Sequence, residues 1–397
     1  MALLRLALVY ASGRPVHALI IDHGLREGSG HEAKETARRA ADMGALPQIA
    51  LWDHSGIKTA IQEKARTARY GLLADMCREI GVNKLLTGHN EDDQAETVAM
   101  RQSSGSGWRG LAGIKPVITE PIWPQTMGLT VGRPLIETSR AAIREYCAAH
   151  GVPYLDDPSN SDARYERVRV RADSAANPQE RAQMLTLGKA MSARRQAEDD
   201  AVDAWLSRSV LRGYGGATSV SRDALPDMPA AALADLLRLA SGQARRPDMT
   251  ACEALAAHLT VPHFKQRTLG GAIVYAGGDH IHITREPGAV LGRRNQRAAR
   301  FDLPALTQRI WDGRFSVSTI RDAVHVAPAW LGRGQLSKPA LEKLRVLPAP
   351  VRRTLPGFFD HGVLLAVPAL SFKSVKEVCR ARDITTGRFP AIPQPKN

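Results

Sequence analysis

The chain has 397 residues, of which 44% are hydrophobic, 24% are charged and 5% are aromatic. This composition allows packed cores and excludes a disordered chain, and at about 150 residues per domain the length fits two or three domains. The formal net charge of +14 favours a polyanionic partner, nucleic acid before an anionic membrane, although a basic surface can also be merely solvated.

Helix and strand patterns alternate over the first part of the chain. The opening segment, MALLRLALVYASG, has apolar residues at helical spacing, and Arg5 within the apolar run argues against a signal peptide. A buried strand is predicted at VHALIID and further strands at LPQIALWD and NKLLTGH, with the helices GHEAKETARRAADMGA and TAIQEKARTARYGLLADMCREIG between them. This alternation predicts an α/β fold, a doubly wound parallel sheet with helices on both faces.

Polar residues follow two of the predicted strands, at Asp22-His23-Gly24 and at Gly88-His89. In parallel sheets covered by helices on both faces, ligands bind beyond the carboxyl ends of the strands. We therefore expect these two polar segments to lie at a ligand-binding edge of the sheet.

The pattern changes after about residue 177. The stretch from Gln179 to Val210 and the segments DMPAAALADLLRLA and DMTACEALAAHLT predict helices, whereas QRTLGGAIVYAGGDHIHIT predicts a hairpin. Short β-like runs and prolines are frequent near the end of the chain. We predict an α/β domain at residues 1–177, a mostly helical domain at 178–290 and a small α+β domain at 300–397.

The cysteines and the length of the apolar runs indicate the cellular compartment that the sequence fits. The four cysteines, Cys77, Cys147, Cys252 and Cys379, show neither metal-ligand spacing nor a C-x-x-C motif. This pattern predicts free thiols in a reducing, cytoplasmic environment. No apolar run approaches the roughly 18 residues that span a bilayer, so no membrane partner is expected.

The segment TGHNEDDQAET, residues 87–97, concentrates carboxylates in this basic chain. Acids in the first turn of a helix are favoured by roughly 0.3–1 kcal/mol each, which accounts for Glu91 and part of Asp92. Asp93 and Glu96 share a helical face and repel each other unless a cation lies between them. The residue types alone are compatible with a Mg²⁺ site beside His89 and with a general base.

The same segment resembles the T-A-H-H-x-D-D-Q-x-E-T signature of the tRNA(Ile)-lysidine synthases, which belong to the PP-loop ATP pyrophosphatase superfamily. Further similar stretches follow in the same order along the chain: VHALIIDHGLR, ARTARYGLL, RPLIETSRAAIREYCAAHGVPYLDDPSN, RYERVRVR, WDGRF and TLPGFFDHGVLLAVP. The resemblance covers nearly the whole chain, and the acidic motif together with D-P-S-N is its most specific part.

The resemblance implies an activity on a tRNA anticodon. ATP, accompanied by Mg²⁺, would adenylate the C2 oxygen of the wobble cytidine, position 34, of the tRNA(Ile) with a CAU anticodon. The ε-amine of free lysine would then displace AMP and form lysidine, which pairs with A instead of G. The basic surface would hold the tRNA, and the domains at 178–290 and 300–397 would bind it.

Site residues carry over by motif position, and each has a structural alternative. The catalytic residues would be Asp93, Glu96 and His89; the nucleotide would contact Ile21, His23, Arg69 and Gly88; Mg²⁺ would bind Asp92 and Asp93; and tRNA or phosphate would contact Arg133, Arg167 and Arg171. Alternatively, His89 caps the helix, Arg69 forms a surface salt bridge, and the run from Arg167 to Arg171 is a solvated face.

The sequence departs from the family pattern in two places. The family has a strand and an S-G-G-x-D-S loop before a helix that reads like MALLRLA, and such a loop holds the pyrophosphate of ATP through backbone N–H groups. This sequence begins at that Met, so either the true start lies upstream or the gene is truncated and its product does not bind ATP. The second departure is Asn90, where the family often has His.

Two other functions stay open at this stage. A PP-loop tRNA thiolase would usually carry paired cysteines, and this chain has no such pair. A non-catalytic RNA-binding remnant would bind tRNA with a steep salt dependence and show no nucleotide-dependent chemistry. The oligomeric state is not fixed by the sequence, and a homodimer is one possibility.

Overall fold

The structure is a computed structural model that describes residues 1–24, 28–53, 61–154, 168–172, 177–261, 263–293, 297–373 and 379–385. The chain divides into two compact units, residues 1–197 and residues 198–397. The domain borders predicted near residues 177 and 290–300 stay predictions. No helix in the described ranges is both long enough and apolar enough to cross a membrane.

The first unit alternates helices and strands, as the sequence predicts. Its elements are α1 Ala2–Ala11, β1 His17–Asp22, α2 Ser29–Asp42, β2 Leu46–Leu51, α3 Ile61–Glu79, β3 Lys84–Leu86, α4 Glu91–Ser103, α5 Trp108–Leu111, β4 Val117–Thr119, β5 Thr130–Gly132, α6 Arg140–Ala149, α7 168–172 and α8 Pro178–Ser209, whose last residues belong to the second unit.

The described strands of the first unit form two small sheets. β1 pairs with β2 in parallel, and β3 pairs in parallel with β5, which also accepts β4 as an antiparallel neighbour. In the described ranges β1 and β3 are not hydrogen-bonded to each other. Leu19 and Ile21 of β1 nevertheless pack into the same apolar cluster as Leu85 of β3 and Leu73 of α3. This packing brings the carboxyl ends of β1 and β3 to a common cavity.

Helix α4 begins with a capping box centred on Asn90. The Asn90 side-chain oxygen accepts a hydrogen bond from the backbone N–H of Asp93 at 3.0 Å, and the Asn90 N–H donates to the Asp93 carboxylate at 2.9 Å. Both contacts satisfy N–H groups that a helix start leaves without partners. The sequence departure at Asn90 therefore supplies the cap of the acidic helix.

The second unit contains more strand than the sequence predicts. Its elements are β6 Val210–Arg212, β7 Thr218–Ser221, α9 Ala230–Ser241, α10 Met249–Leu259, β8 Gln266–Leu269, β9 Ala272–Gly277, β10 His280–Arg285, α11 Pro287–Leu291, β11 Phe301–Leu303, β12 Gln308–Trp311, β13 Phe315–Thr319, β14 Val324–Pro328, α12 Lys338–Val346, α13 Ala349–Arg353, β15 Pro356–Asp360, β16 Val363–Val367, β17 Phe372–Lys373 and β18 Cys379–Asp383.

The described strands of this unit form three antiparallel sheets. Their strand orders are β6-β7-β10-β9-β8, β11-β14-β15-β16-β17 and β12-β13-β18. The first sheet lies in the region predicted as mostly helical, and it packs against α9, whose Leu233, Leu236 and Leu237 are fully buried. The predicted hairpin is thus the β8–β10 part of a larger sheet. Strands β6 and β7 are only three and four residues long and carry no alternation long enough to be recognised.

A buried ion network joins two parts of the second unit. Asp312, in the W-D-G-R-F segment, accepts from Arg285 Nη2 at 2.7 Å and from Arg314 Nε at 2.7 Å. Arg314 also donates to the backbone oxygens of Gly215 at 3.0 Å and Thr354 at 2.8 Å. Because Arg285, Asp312 and Arg314 expose at most 7% of their side chains, each charge depends on its partners for solvation.

Two glycines allow direct backbone contact beside this network. Gly242, which ends α9, and Gly313, next to Asp312, both have positive φ angles, of 68° and 65°. A Cβ atom on Gly313 would lie 2.1 Å from the carbonyl oxygen of Gly242, and a Cβ on Gly242 would lie 2.3 Å from that of Asp312. No side chain fits at either position without displacing the backbone.

We expect Asp312→Ala to lower the free energy of unfolding by about 3–5 kcal/mol, because it leaves two buried guanidinium groups without their carboxylate. Urea denaturation followed by circular dichroism measures the loss. Asp322→Ala, which removes an exposed carboxylate of the same unit, should change stability by less than about 0.5 kcal/mol. Equal effects of the two substitutions would contradict the structural role of Asp312.

Asn90→Ala is expected to lower the free energy of unfolding by about 0.5–2 kcal/mol, because the Asp93 N–H loses its side-chain acceptor. Asn90→Asp keeps that acceptor and should retain most of the stability. Thermal unfolding of the three proteins provides the comparison. An alanine variant as stable as the aspartate variant would show that the cap contributes nothing.

Candidate active site

Two adjoining cavities lie where β1 and β3 end, and together we call them the strand-end cavity. One, of about 280 Å³, is lined by His23, Ala65, Arg66, Arg69, Tyr70, Leu73, Thr87 and His89. The other, of about 330 Å³, is lined by Leu19, Ile21, His23, Arg69, Leu73, Leu85, Leu86, Thr87 and Gly88. The structure therefore brings together all four residues predicted at the nucleotide, along with His89.

The ring of His23 lines both parts of the strand-end cavity. Its ring meets Trp52 edge-on, with the ring centroids 6.1 Å apart, and its Nδ1 is buried without a hydrogen-bond partner in the described ranges. Burial, and after it the charge of Arg69, lowers the pKa of His23. The imidazole is therefore neutral at pH 7.

His89 and Arg69 line the same cavity. Their contacts test the two structural alternatives, that His89 caps a helix and that Arg69 forms a surface salt bridge. The idea that His89 caps α4 is wrong, because Asn90 provides the cap. His89 instead shares a hydrogen bond of 2.9 Å between its Nδ1 and the Thr87 hydroxyl, which fixes the ring orientation. Arg69 pairs with no carboxylate of the described residues, so the surface salt bridge proposed for it is not found there.

Arginines neutralise the acidic face of α4. Glu96 is only 1% exposed and accepts from Arg171 Nε at 2.7 Å and from Arg140 Nη2 at 3.3 Å. Arg140 Nη2 also lies 3.9 Å from an Asp93 oxygen, so it is positioned between the two carboxylates. The Arg140 guanidinium thus supplies the positive charge that reduces repulsion between Asp93 and Glu96 on their shared helical face.

The carboxylates in the first turn of α4 also contact nitrogen donors from other helices. Asp92 accepts from the backbone N–H of Arg140, the first residue of α6, at 2.7 Å, and its other oxygen lies 3.5 Å from Arg181 Nε. The Arg181 guanidinium also pairs with Glu91. These contacts tie α4 to α6 and α8.

The structure does not assemble the predicted Mg²⁺ site from Asp92 and Asp93. Both Asp92 oxygens face nitrogen donors, and one Asp93 oxygen is used by the capping box. Across the described ranges, no three His, Cys, Asp or Glu side chains form a group that could hold a metal ion. Any Mg²⁺ would therefore arrive with the phosphates of a nucleotide, which is where it commonly takes most of its ligands.

The predicted RNA contacts divide into three cases. Arg133 is only 5% exposed and donates to the Lys115 carbonyl at 2.7 Å and to the Tyr70 hydroxyl at 3.4 Å, so its assignment to tRNA or phosphate is corrected to a packing role. Arg171 pairs with Glu96, and that hydrogen bond raises the pKa of Arg171. Arg167 and the D-P-S-N turn lie outside the described residues.

Sequence reasoning missed Arg140 and Arg181, although both contact the acidic helix. The signal for Arg140 was present, because it directly follows Ser139, the cap of α6, at the helix end that faces Asp92. Nothing local marks Arg181, which precedes many other charged residues on a long helix and lies 90 positions from Glu91.

Comparison with known proteins assigns the chain to a family. Residues 1–176 match the family model of the PP-loop domain, which confirms the predicted α/β fold of this part. A tRNA(Ile)-lysidine synthase of Hyphomonas neptunium is 36% identical over 292 residues, covering 72% of this chain and 79% of the relative. A tRNA(Ile)-lysidine synthase of Caulobacter vibrioides is 33% identical over 386 residues, covering 95% and 86%.

Among solved structures, a U34-tRNA thiolase of Methanococcus maripaludis is similar with 15% identity and a TM-score of 0.38, covering 48% of this chain and 68% of that one. A TM-score this low does not discriminate between activities. The two lysidine synthases do, because identity of at least 33% extends over most of their length. The confirmed resemblance and these relatives together show that the chain belongs to the tRNA(Ile)-lysidine synthase family.

Proposed function

We propose that this chain is an ATP-dependent ligase that joins lysine to C2 of the wobble cytidine of tRNA(Ile) with a CAU anticodon, forming lysidine. The observation that carries the proposal is the convergence of Ile21, His23, Arg69, Gly88 and His89 on one cavity that adjoins the acidic helix. Membership of the synthase family supplies the reaction.

ATP enters the reaction as a substrate, and the strand-end cavity is its proposed site. Leu19, Ile21 and Leu73 provide apolar walls for a planar base. The neutral His23 ring lines both parts of the cavity and can exchange a hydrogen bond with an edge nitrogen of the base. Arg69, which has no carboxylate partner in the described part of the chain, is a cation for the phosphates.

The reaction proceeds through two displacements. In the first, the C2 oxygen of cytidine attacks the α-phosphorus of ATP, and diphosphate leaves. In the second, the lysine ε-amine attacks C2, the carbon–oxygen bond to the adenylate breaks, and AMP leaves. The amine is a nucleophile only when neutral, so a base must take a proton from the ε-ammonium group.

The structure distinguishes the two predicted catalytic acids by exposure. Asp93 exposes 16% of its side chain and Glu96 only 2%. We assign proton acceptance to Asp93, because it is the carboxylate that a substrate amine can reach. Glu96 holds Arg140 and Arg171 in place, and these guanidinium groups can then face the negative charge that accumulates on the transferred phosphate.

The net charge supports the proposed tRNA substrate, and the cysteines argue against the thiolase alternative. A charge of +14 fits a substrate as anionic as tRNA, with lysine as the small co-substrate. The thiolase alternative loses support, because Cys77, Cys147, Cys252 and Cys379 are each buried.

ATP-dependent transfer of labelled lysine to an unmodified tRNA(Ile) transcript tests the proposal directly. The 397-residue chain is compared with one extended by the in-frame codons upstream of Met1. Lysine transfer by either chain supports the ligase. Tight, salt-sensitive tRNA binding without transfer by either chain would favour the RNA-binding remnant instead.

In an active chain, Asp93→Asn is expected to lower the rate of lysine transfer by about 10²–10⁴-fold, because it removes the proton acceptor. The amide oxygen of Asn can still accept from the Asn90 N–H, so the helix cap and tRNA affinity should be preserved. Asp75→Asn removes an exposed carboxylate from α3 and serves as the matched control. Normal turnover by the Asp93 variant would sink its catalytic assignment.

We expect His23→Ala to raise the KM for ATP by about tenfold, the equivalent of one hydrogen bond to the nucleotide, with little change in tRNA affinity. His31→Ala, an exposed histidine of α2, is the control. Because the pKa of His23 is lowered, protonation of this ring affects ATP affinity only below its ordinary pKa of about 6.5. If His23→Ala leaves the KM for ATP unchanged, the nucleotide does not bind in this part of the cavity.

A further inference from the structure

A second cavity, of about 650 Å³, lies on one face of the β11-β14-β15-β16-β17 sheet, and we call it the sheet cavity. Asp302 of β11, His325 of β14 and Phe359 of β15 line it. These three residues are direct cross-strand neighbours, because Asp302 pairs with His325 and His325 with Phe359. Their side chains therefore form a row along a single face of the sheet.

His325 and Phe359 form a flat, supported platform. Their rings are nearly parallel, with an interplanar angle of 13° and centroids 5.4 Å apart. Phe359 is 5% exposed, and its ring edge packs so closely against Gly332 that a Cβ there would lie 2.8 Å away. His325, which remains partly exposed, therefore rests on an immobilised ring. Such stacked rings are the usual platform for an unpaired nucleic-acid base.

Charged groups of both signs border the platform. Arg297 and Arg300 line the sheet cavity just before β11; both are exposed, and neither pairs with a carboxylate in the described ranges. Asp302 is also exposed and accepts no hydrogen bond there. Burial, followed by the charge of Arg300, lowers the pKa of His325, so the platform ring is neutral at pH 7.

We propose that the sheet cavity binds one unpaired nucleotide of an RNA, with its base stacked on His325, its phosphate on Arg297 and Arg300, and an N–H edge of the base at Asp302. Guanine fits best, because its Watson–Crick edge offers two adjacent N–H donors to a carboxylate, whereas uracil offers only one. The identification of that RNA as the tRNA substrate rests on the proposed function.

The source of the nucleotide follows from the surroundings of the cavity. Leu331 at its border is 56% exposed, so the cavity is open at this side and a polynucleotide can continue past it. The net charge of +14 also favours a polyanion over a single nucleotide. Free guanosine monophosphate offers the same base and phosphate, and it must be tested separately.

The test measures the affinity of the full chain, by fluorescence anisotropy, for a short RNA duplex with a blunt end and for the same duplex with a single-stranded guanosine overhang. The overhang should strengthen binding by about tenfold through stacking. His325→Ala and Arg300→Ala should abolish that gain and leave affinity for the blunt duplex nearly unchanged. His325→Phe, which keeps a stacking ring, should retain the gain and also verifies that substitution here is tolerated.

Two further variants sharpen the result. Asp302→Asn should remove the preference for a guanosine over a uridine overhang. Arg267→Ala, an exposed arginine of β8 outside the cavity, should leave the gain from the overhang unchanged. A guanosine overhang that gives the same gain in His325→Ala and Arg300→Ala, or no gain in the unaltered chain, overturns the proposal. So does free guanosine monophosphate that binds the sheet cavity as tightly as the overhang RNA.

Failure here is distinguishable from failure of the proposed ligase. The anisotropy assay contains neither ATP nor lysine, so an inactive strand-end cavity leaves its outcome unaffected. Conversely, the unaltered chain could transfer lysine while the sheet-cavity variants keep the full gain from the overhang. That result would refute only the proposed RNA site in the sheet cavity.

Discussion

The pairing of the α4 carboxylates with arginines from other helices is the interaction on which the candidate site depends. Glu91, Asp92 and Glu96 receive nitrogen donors from residues that start α6, lie in α7 and begin α8. Without these partners the acids would repel one another on a short helix that leads directly from the strand-end cavity. Charge pairing therefore sets where α4 lies, and with it the position of Asp93 beside the proposed nucleotide site.

The parts that sequence reasoning predicted well are those encoded locally. Apolar periodicity marked α1, β1, β2 and α9, and the rule that ligands bind beyond parallel strand ends brought His23 and His89 to one cavity. The partners of the acids could not be found in this way, since Arg140 follows Asp92 by 48 positions and Arg181 follows Glu91 by 90. Arg133 shows the same limit, because its charge is visible in the sequence but its burial is not.

Both proposed nucleotide sites use the same physical components in different arrangements. Each combines a histidine whose pKa burial lowers with an arginine that lacks a carboxylate partner in the described ranges, His23 with Arg69 and His325 with Arg300. A neutral ring can face a base without electrostatic cost, while the arginine supplies the positive charge that phosphate requires. The strand-end cavity has apolar walls suited to enclosing a base, whereas the sheet cavity offers a platform.

The contact between Gly242 and Gly313 has a consequence for how the second unit unfolds. Side chains can adapt to a shifted neighbour by changing rotamer, but two peptide backbones in direct contact cannot. The segment ending α9 and the loop carrying Asp312 must therefore separate together, and their separation also exposes the buried charges of Arg285 and Arg314. Residues 198–397 thus lack a weak internal boundary at this point and should open as one cooperative block rather than as two independently fluctuating halves.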